Sequence, residues 1–329
     1  MIRQSLAMVT AAMLCTALAG CNGGSASPPP FNSGIAPRAL AGTITEFSSG
    51  ISKGAFPFGI AAGPDGNLWF TEQGLSRIGR ITPAGVVTEF AGGMSAGALP
   101  VNIVAGPDGN LWFTEQHKIG RITTAGVITE FNTSSSPFGI TVGPDGNLWF
   151  TAPYENRIGR ITLSGAVTEY NGLVTTLGPE GIVAAPDGNL WFAELSGKIG
   201  RSTPAGAINE FNYSAFSQPY VIAAGADGNL WFTDHAANRI GRITLSGAIA
   251  EFRNGISAGA ATWGIASGPD GNLWFTEDQG RIGRITPAGV VTEYSAGISA
   301  NAQPLRITQG PDGNMWFTES GVDRIGRVQ

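Results

Sequence analysis

Apolar and polar residues alternate in short runs along most of the chain, and the same runs return seven times. In the first repeat, residues 67–72 send Leu68 and Phe70 to one face of a strand and Trp69 to the other. Both faces of that strand are therefore large and apolar. A sheet with two such faces needs a neighbour on each side, so the pattern predicts a set of sheets stacked against one another.

Turn residues divide each repeat into four short strands. In the first repeat, residues 59–62 predict an apolar innermost strand, and Asp65-Gly66 predicts the hairpin to the second strand, because glycine accepts the positive φ of a tight turn. Residues 77–82 predict the third strand and residues 86–90 the outermost one. Each repeat is therefore expected to form one four-stranded antiparallel sheet.

The spacing of the repeats predicts the fold class. A period of about 40 residues is typical of β-propellers, with one blade per repeat. The aspartates of the repeated Asp-Gly turn are Asp65, Asp108, Asp145, Asp187, Asp227, Asp270 and Asp312. Residues 41–329 are therefore predicted to form an all-β domain, a seven-bladed β-propeller. The last repeat has no fourth strand, whereas residues 42–47 match the fourth-strand pattern although no blade precedes them. We therefore expect this N-terminal strand to complete blade 7 and close the ring.

The first 40 residues differ in composition from the repeats. Arg3 precedes an apolar run too short for a comfortable membrane span, which ends in LAGC at Cys21. This resembles the lipobox of bacterial lipoproteins. It predicts a signal peptide over residues 1–20, a lipidated Cys21 and attachment to the membrane of the bacterial cell envelope; an ordinary secretory signal is the alternative. Residues 21–40, rich in Gly, Ser and Pro, predict a flexible tether.

Charge and motif content exclude several functions. Most of the 19 Lys and Arg and of the 24 Asp and Glu lie at repeated positions, where residues such as Arg80, Arg121 and Arg160 are expected to hold turns or strand ends. No separate basic patch exists, so nucleic acid is not an expected partner, and we expect a monomer. Nucleotide, zinc and serine-hydrolase motifs are absent, and one Asp per turn lacks the clustered oxygens of a calcium loop. His117 and His235 lie in loops and are expected at the surface.

The motifs WFTE, IGRIT, GPDG and PxGI resemble those of the streptogramin B lyase (virginiamycin B lyase) family over residues 42–329. The resemblance implies a seven-bladed propeller and a magnesium-assisted elimination that opens a cyclic depsipeptide antibiotic, with a His as base. The functional His residues of that family occupy the x of PxGI. Here the seven positions hold Phe58, Val101, Phe138, Glu180, Tyr220, Trp263 and Leu305. None is His, so no catalytic base carries over.

Two sets of residues are predicted to share one rim of the disc, because the first strand of a blade begins there and the second ends there. The second strand ends on an acid in six repeats: Glu72, Glu115, Glu194, Asp234, Glu277 and Glu319. We expect these acids to bind nearby backbone; a site for Mg or another divalent cation, made from two or three of them, is the alternative.

The first-strand set varies more and is the predicted ligand site. It consists of Phe58, Phe138, Glu180, Tyr220 and Trp263, with Arg306 next to Leu305 as a cation outside the repeat pattern. Variation at one rim of an otherwise regular repeat is where a binding site is expected, although plain packing of the channel by these aromatic residues is the alternative.

Two functions remain open at this point. In the first, the protein is an exported, lipid-anchored binding module whose mouth holds a small apolar, cyclic or peptide ligand, with a cationic group of the ligand near Glu180. In the second, it is a lyase-like or hydrolase-like enzyme that uses Glu180 as base and a divalent metal as electrophile. The missing His favours the first.

Overall fold

The computed structural model describes residue 40 and residues 42–173, 177–214 and 217–329. These residues form seven four-stranded antiparallel sheets, with single 3-10 turns at residues 73–75 and 320–322 and no α-helix among them. The predicted all-β, seven-bladed propeller is confirmed. The predicted signal peptide, Cys21 and all of the predicted tether except Leu40 lie outside the described residues. Within the described ranges, no helix is long and apolar enough to cross a membrane.

The strands are numbered in chain order, and β1 (Ile44–Phe47) precedes the first blade. Blade 1 contains β2 (Pro57–Ala62), β3 (Leu68–Glu72), β4 (Arg77–Ile81) and β5 (Val87–Phe90). Blade 2 contains β6 (Ile103–Ala105), β7 (Leu111–Glu115), β8 (Lys118–Ile122) and β9 (Ile128–Asn132). Blade 3 contains β10 (Ile140–Val142), β11 (Leu148–Ala152), β12 (Arg157–Ile161) and β13 (Val167–Tyr170). Blade 4 contains β14 (Pro179–Ala184), β15 (Leu190–Glu194), β16 (Lys198–Ser202) and β17 (Ile208–Asn212).

Blade 5 contains β18 (Pro219–Ala224), β19 (Leu230–Asp234), β20 (Arg239–Ile243) and β21 (Ile249–Phe252). Blade 6 contains β22 (Thr262–Ser267), β23 (Leu273–Glu277), β24 (Arg281–Ile285) and β25 (Val291–Tyr294). Blade 7 contains β26 (Pro304–Gln309), β27 (Met315–Glu319) and β28 (Arg324–Val328). The innermost strands of successive blades contact each other, and β26 contacts β2, so the seven sheets form a ring.

The two ends of the propeller meet in blade 7. Strand β1 pairs with β28 in antiparallel register, with Ile44 opposite Val328 and Phe47 opposite Ile325. The backbone N–H of Gly42 also donates to the carbonyl of Gln329 at 2.7 Å. The N-terminal strand therefore supplies the fourth strand of the last blade, which confirms the predicted ring closure.

The hydrophobic core lies between blades rather than within one. Trp69 packs against Leu111 and Phe113 of blade 2, whereas Leu68 and Phe70 pack against residues of blade 7. The second-strand tryptophans are all fully buried. The two apolar faces predicted for the second strand are thus confirmed, and each is covered by a different neighbour.

The repeated charged residues stabilise the scaffold. The indole N–H of Trp69 donates to the Asp65 carboxylate at 3.0 Å, which fixes the hairpin to the strand that follows it. The Arg80 guanidinium lies over the Trp69 ring, 5.5 Å from its centroid, and donates to the carbonyl of Thr124 in blade 2. These contacts confirm the structural roles expected for the Asp-Gly turns and for the repeated arginines.

A threonine in the second strand links each blade to the next close to the channel. The Thr71 hydroxyl accepts from the Gly59 N–H at 2.8 Å and donates to the carbonyl of Val101 in blade 2 at 2.7 Å. Equivalent bridges are made by Thr114, Thr151, Thr233, Thr276 and Thr318. Ala193 takes this position in blade 4. The bridges hold the backbone at the x positions of PxGI in place around the ring.

Candidate functional site

The start of each first strand and the end of the second lie on the same rim, as predicted. Pro57 at the start of β2 is opposite Glu72 at the end of β3, and the register between these strands shifts before Ile60. Such an irregularity re-aims a side chain relative to a regular strand. The same shift occurs in blades 4, 5, 6 and 7. We call the side chains gathered at this end of the channel the mouth: Phe58, Phe138, Glu180, Tyr220, Trp263 and Arg306.

The four predicted aromatic residues of the mouth form one continuous row. Phe58 contacts Phe138 with ring centroids 6.1 Å apart, and Phe138 contacts Tyr220 at 5.9 Å. Tyr220 contacts Trp263 at 4.6 Å. All three contacts are edge-to-face, the geometry that aromatic quadrupoles favour. Residues from blades 1, 3, 5 and 6 are therefore brought together, as the shared register predicted.

Arg306 occupies the centre of the mouth. Its guanidinium carbon lies 5.3, 5.6 and 5.4 Å from the ring centroids of Phe58, Phe138 and Tyr220, within cation–π range. A side chain of blade 7 thus reaches blades 1, 3 and 5 across the channel, and only 7% of it remains exposed. The sequence pattern suggests that these aromatic residues attract a cationic group of a ligand. In the structure, the chain's own cation, Arg306, lies among three of these rings.

Glu180 is the acid of the mouth. It is buried, with 6% exposure, and burial raises its pKa to about 7 although attraction by Arg306 lowers it. Across the described ranges, no carboxylate lies within ion-pair distance, 4.0 Å, of the Arg306 guanidinium. Glu180 and Arg306 therefore share one apolar environment without forming a direct ion pair.

The second-strand acids lie on the same rim as the mouth, but their side chains are fully buried. Burial, followed by repulsion from a fourth-strand glutamate of the same blade, raises the pKa of Glu72, Glu115, Glu277 and Glu319 to about 8. Within the described ranges, no backbone N–H donates to their carboxyl oxygens, whereas Asp234 accepts from the backbone of Gln218 and Ala237. The expected backbone bonding therefore occurs at Asp234 but not at these four glutamates.

The described residues contain no cluster of the kind that usually holds a divalent cation. In the part of the chain that the structure describes, no three His, Cys, Asp or Glu side chains are grouped so that they could hold a metal ion. A metal needs several oxygen or nitrogen ligands at one point, and each of these acids lies in a different blade. The site for Mg or another divalent cation stays a prediction from sequence.

His235 joins the mouth although its sequence context did not indicate it. Its ring centroid lies 4.9 Å from that of Trp263 and 6.5 Å from that of Tyr220, and its Nδ1 is 3.3 Å from the Thr262 carbonyl oxygen. The residue is half-buried, not a plain surface residue as expected, whereas His117 is exposed. The available signal was position: His235 directly follows a second strand, and second strands end at the mouth.

Large apolar side chains are exposed around the mouth in blades 1 to 4. Tyr154, in the loop after β11, is 88% exposed and near enough to Tyr220 to affect the pKa of that phenol. Phe56, Leu99 and Leu177 precede first strands and are 54%, 42% and 50% exposed. Phe56 and Leu99 also adopt positive φ, as do Ala261 and Gln303 at the equivalent position of blades 6 and 7, so this conformation belongs to the repeat.

Comparison with known proteins places the chain beside lyases. The model of the virginiamycin B lyase family matches residues 33–171, 96–193 and 132–329. A streptogramin B lyase structure is 34% identical, with 87% of this chain and 97% of that chain covered and a TM-score of 0.81. The virginiamycin B lyase of Staphylococcus aureus is 36% identical, with 87% and 99% covered and a TM-score of 0.81. A catalytically inactive His-to-Ala variant of that enzyme with quinupristin has the same identity and coverage and a TM-score of 0.80. No curated protein sequence matches the chain.

Proposed function

Because the chain belongs to the virginiamycin B lyase family, we propose that it is a binding member of that family, and not a streptogramin lyase. It holds a largely apolar cyclic or peptide-like ligand against the aromatic mouth, and Cys21 anchors it by lipid to the bacterial cell envelope. The observation that carries this proposal is the mouth itself, where aromatic residues of four blades meet and no PxGI position supplies a His.

The absence of a base at the expected positions argues against antibiotic cleavage. A general base works best with a pKa near the operating pH, and it must reach the proton that it removes. Replacement of one His by Ala inactivates the Staphylococcus aureus lyase. In this chain, bulky Trp263 and Leu305 stand at two x positions, and the neighbouring Arg306 fills the centre. A cyclic depsipeptide would therefore meet packed rings and a guanidinium at the x positions, and the His235 imidazole of the mouth comes from a loop after a second strand and packs against Trp263.

The apolar rim supports binding. Tyr154, Phe56, Leu99 and Leu177 expose large side chains on the mouth face, whereas the exposed valines Val86, Val127 and Val290 lie at a repeated turn on the opposite face. Exposed apolar groups clustered on one face are typical of ligand and partner sites. Among the described residues, the exposed large apolar side chains of this face all lie in blades 1 to 4.

The test is binding of a neutral apolar probe, Nile red, to the purified full-length protein. Replacing Tyr154 or Trp263 with Ala should weaken binding by roughly 1 to 3 kcal/mol, the loss usual for an aromatic anchor. Val127→Ala is the matched control, because Val127 is exposed on the far face. Equal binding by all three variants would refute a site at the mouth.

The alternative is a lyase-like or hydrolase-like enzyme with Glu180 as base. It is favoured by one observation: burial raises the pKa of Glu180 to about 7, where a carboxylate could accept a proton near neutral pH. Incubation with a streptogramin B antibiotic and magnesium, followed by mass spectrometry for the linear product, distinguishes the two. We expect no product; turnover that Glu180→Gln abolishes would establish the alternative.

A further inference from the structure

The Arg306 guanidinium is a buried cation that has no hydrogen-bond acceptor or ion-pair partner among the described residues. Only 7% of the residue is exposed, and its Nε is buried with no hydrogen-bond acceptor. Within the described ranges, its guanidinium donates no hydrogen bond and forms no ion pair; Tyr220 and Glu180 are the groups that interact with it electrostatically. A guanidinium carries five N–H donors, and an unpaired buried charge is costly. The neighbouring rings attract the guanidinium but are only weak hydrogen-bond acceptors.

Most other half-buried cations of the described chain pair with carboxylates, although Arg201, which lies over the Trp191 and Phe211 rings, has no carboxylate within 4.0 Å among the described residues. Arg77, for example, lies 2.7 Å from the Glu89 carboxylate, and Arg239 lies 2.9 Å from Asp234. Arg306 also lacks a carboxylate partner, but unlike Arg201 it is buried, and it lies on the one rim where the repeat sequence varies. Its Nε–H and terminal N–H groups form the planar fork that matches a carboxylate.

Resting on the proposed function, we propose that the mouth is an anion site and that its ligand carries a carboxylate or a similar planar oxyanion on an apolar body. The oxyanion pairs with Arg306, while the apolar part lies against Tyr220, Trp263 and the exposed rim. The three rings around the guanidinium orient it and keep competing water away. Glu180 is the acid that competes with the ligand for Arg306, and binding is strongest when that carboxyl is neutral.

The experiment compares three probes of one shape on the full-length protein by calorimetric titration: benzoate, neutral benzamide and cationic benzylammonium. We expect benzoate to bind about 10-fold to 100-fold more tightly than benzamide, the range for a hydrogen-bonded charge, and benzylammonium to bind least. Glu180→Gln should tighten benzoate binding severalfold, because it removes the competing carboxylate. Arg306→Gln should abolish the preference for benzoate, whereas Arg253→Gln, an exposed arginine, should leave it unchanged.

Arg306→Lys keeps the charge without the fork and should retain only part of the preference. Thermal melting of both Arg306 variants shows whether either one is misfolded. The ratio of benzoate affinity to benzamide affinity in the unmodified protein tests the anion site even if a variant does not fold. Equal affinity for benzoate and benzamide would overturn the anion site yet leave the apolar mouth intact. No binding of benzoate at millimolar concentration would overturn it as well, and Nile red binding would then show whether the proposed function still stands.

Discussion

Glu115 offers the sharpest test of the electrostatics inside the blades. It ends β7, has no exposed surface, and lies beside Glu130 of the fourth strand. Burial raises its pKa to about 8, with repulsion from Glu130 adding to the effect. The ordinary value is 4.5. The carboxyl group is therefore protonated in the folded protein at pH values where it is ionised in the unfolded chain.

The sign of the effect follows from proton uptake on folding. Because the folded pKa is raised, the neutral carboxyl contributes its full stability below about pH 4.5 and loses it as the pH rises through about 8. Between these limits the free energy of unfolding falls by about 1.4 kcal/mol per pH unit, or about 4 to 5 kcal/mol in total for this one group. That total already includes the attraction between Lys118 and the ionised carboxylate, which lowers the pKa of Glu115.

Glu115→Gln keeps the shape and a neutral donor but cannot ionise. We expect it to be close to the unmodified protein in stability at about pH 5 and more stable by several kcal/mol at about pH 8.5. Urea denaturation followed by tryptophan fluorescence measures both. Glu115→Ala, which copies the natural Ala152 of blade 3, should also flatten the pH dependence but lose packing at every pH. A Gln variant whose stability runs parallel to that of the unmodified protein from pH 5 to 8.5 would show that Glu115 is ionised in the fold.

Two further predictions concern the ring. Thr276→Val should lower the free energy of unfolding by about 1 to 3 kcal/mol, because it leaves the Gly264 N–H and the Leu305 carbonyl without their bridge. Ala193→Thr should instead raise the free energy of unfolding, because it would add the missing bridge in blade 4. Chemical denaturation that showed no difference in stability between these two variants would contradict the bridging role. Deleting residues 42–47 removes buried Ile44 and the Phe47 ring stacked 5.3 Å from Trp316, and the lost aromatic packing alone is worth about 3 to 5 kcal/mol. Calorimetry should show a much lower melting temperature, and a truncated protein that melts like the full chain would refute closure by β1.

Local sequence signals predict the strands and the rim positions of this protein, whereas they do not predict contacts across the channel. Alternation and Asp-Gly turns are local signals, and they place the strands of blade 1 within two residues of their observed bounds. Because seven copies share one register, residues at equal repeat positions must lie at equal height in the ring. The repeat pattern alone therefore assigns Phe58, Phe138, Tyr220 and Trp263 to one rim.

The directions of individual side chains at that rim required the tertiary structure. Glu72 and Phe58 share a height, yet the first turns into its blade towards Glu89 and the second contacts Phe138 across the channel. The inward direction of the loop residue His235 likewise depends on a contact with the next blade, where its ring packs against the Trp263 ring.

By itself, the sequence determined the blade count, the strand order, the closure of the ring and the rim shared by the four aromatic residues, because these follow from periodicity and turn chemistry repeated along the chain. Only the tertiary structure decided that Arg306 fills the centre of the mouth. The rings that surround it are contributed by blades 1, 3 and 5, far from residue 306 in the chain. Contacts across a channel depend on its width and on the angle at which each first strand enters it, and no short-range pattern records either.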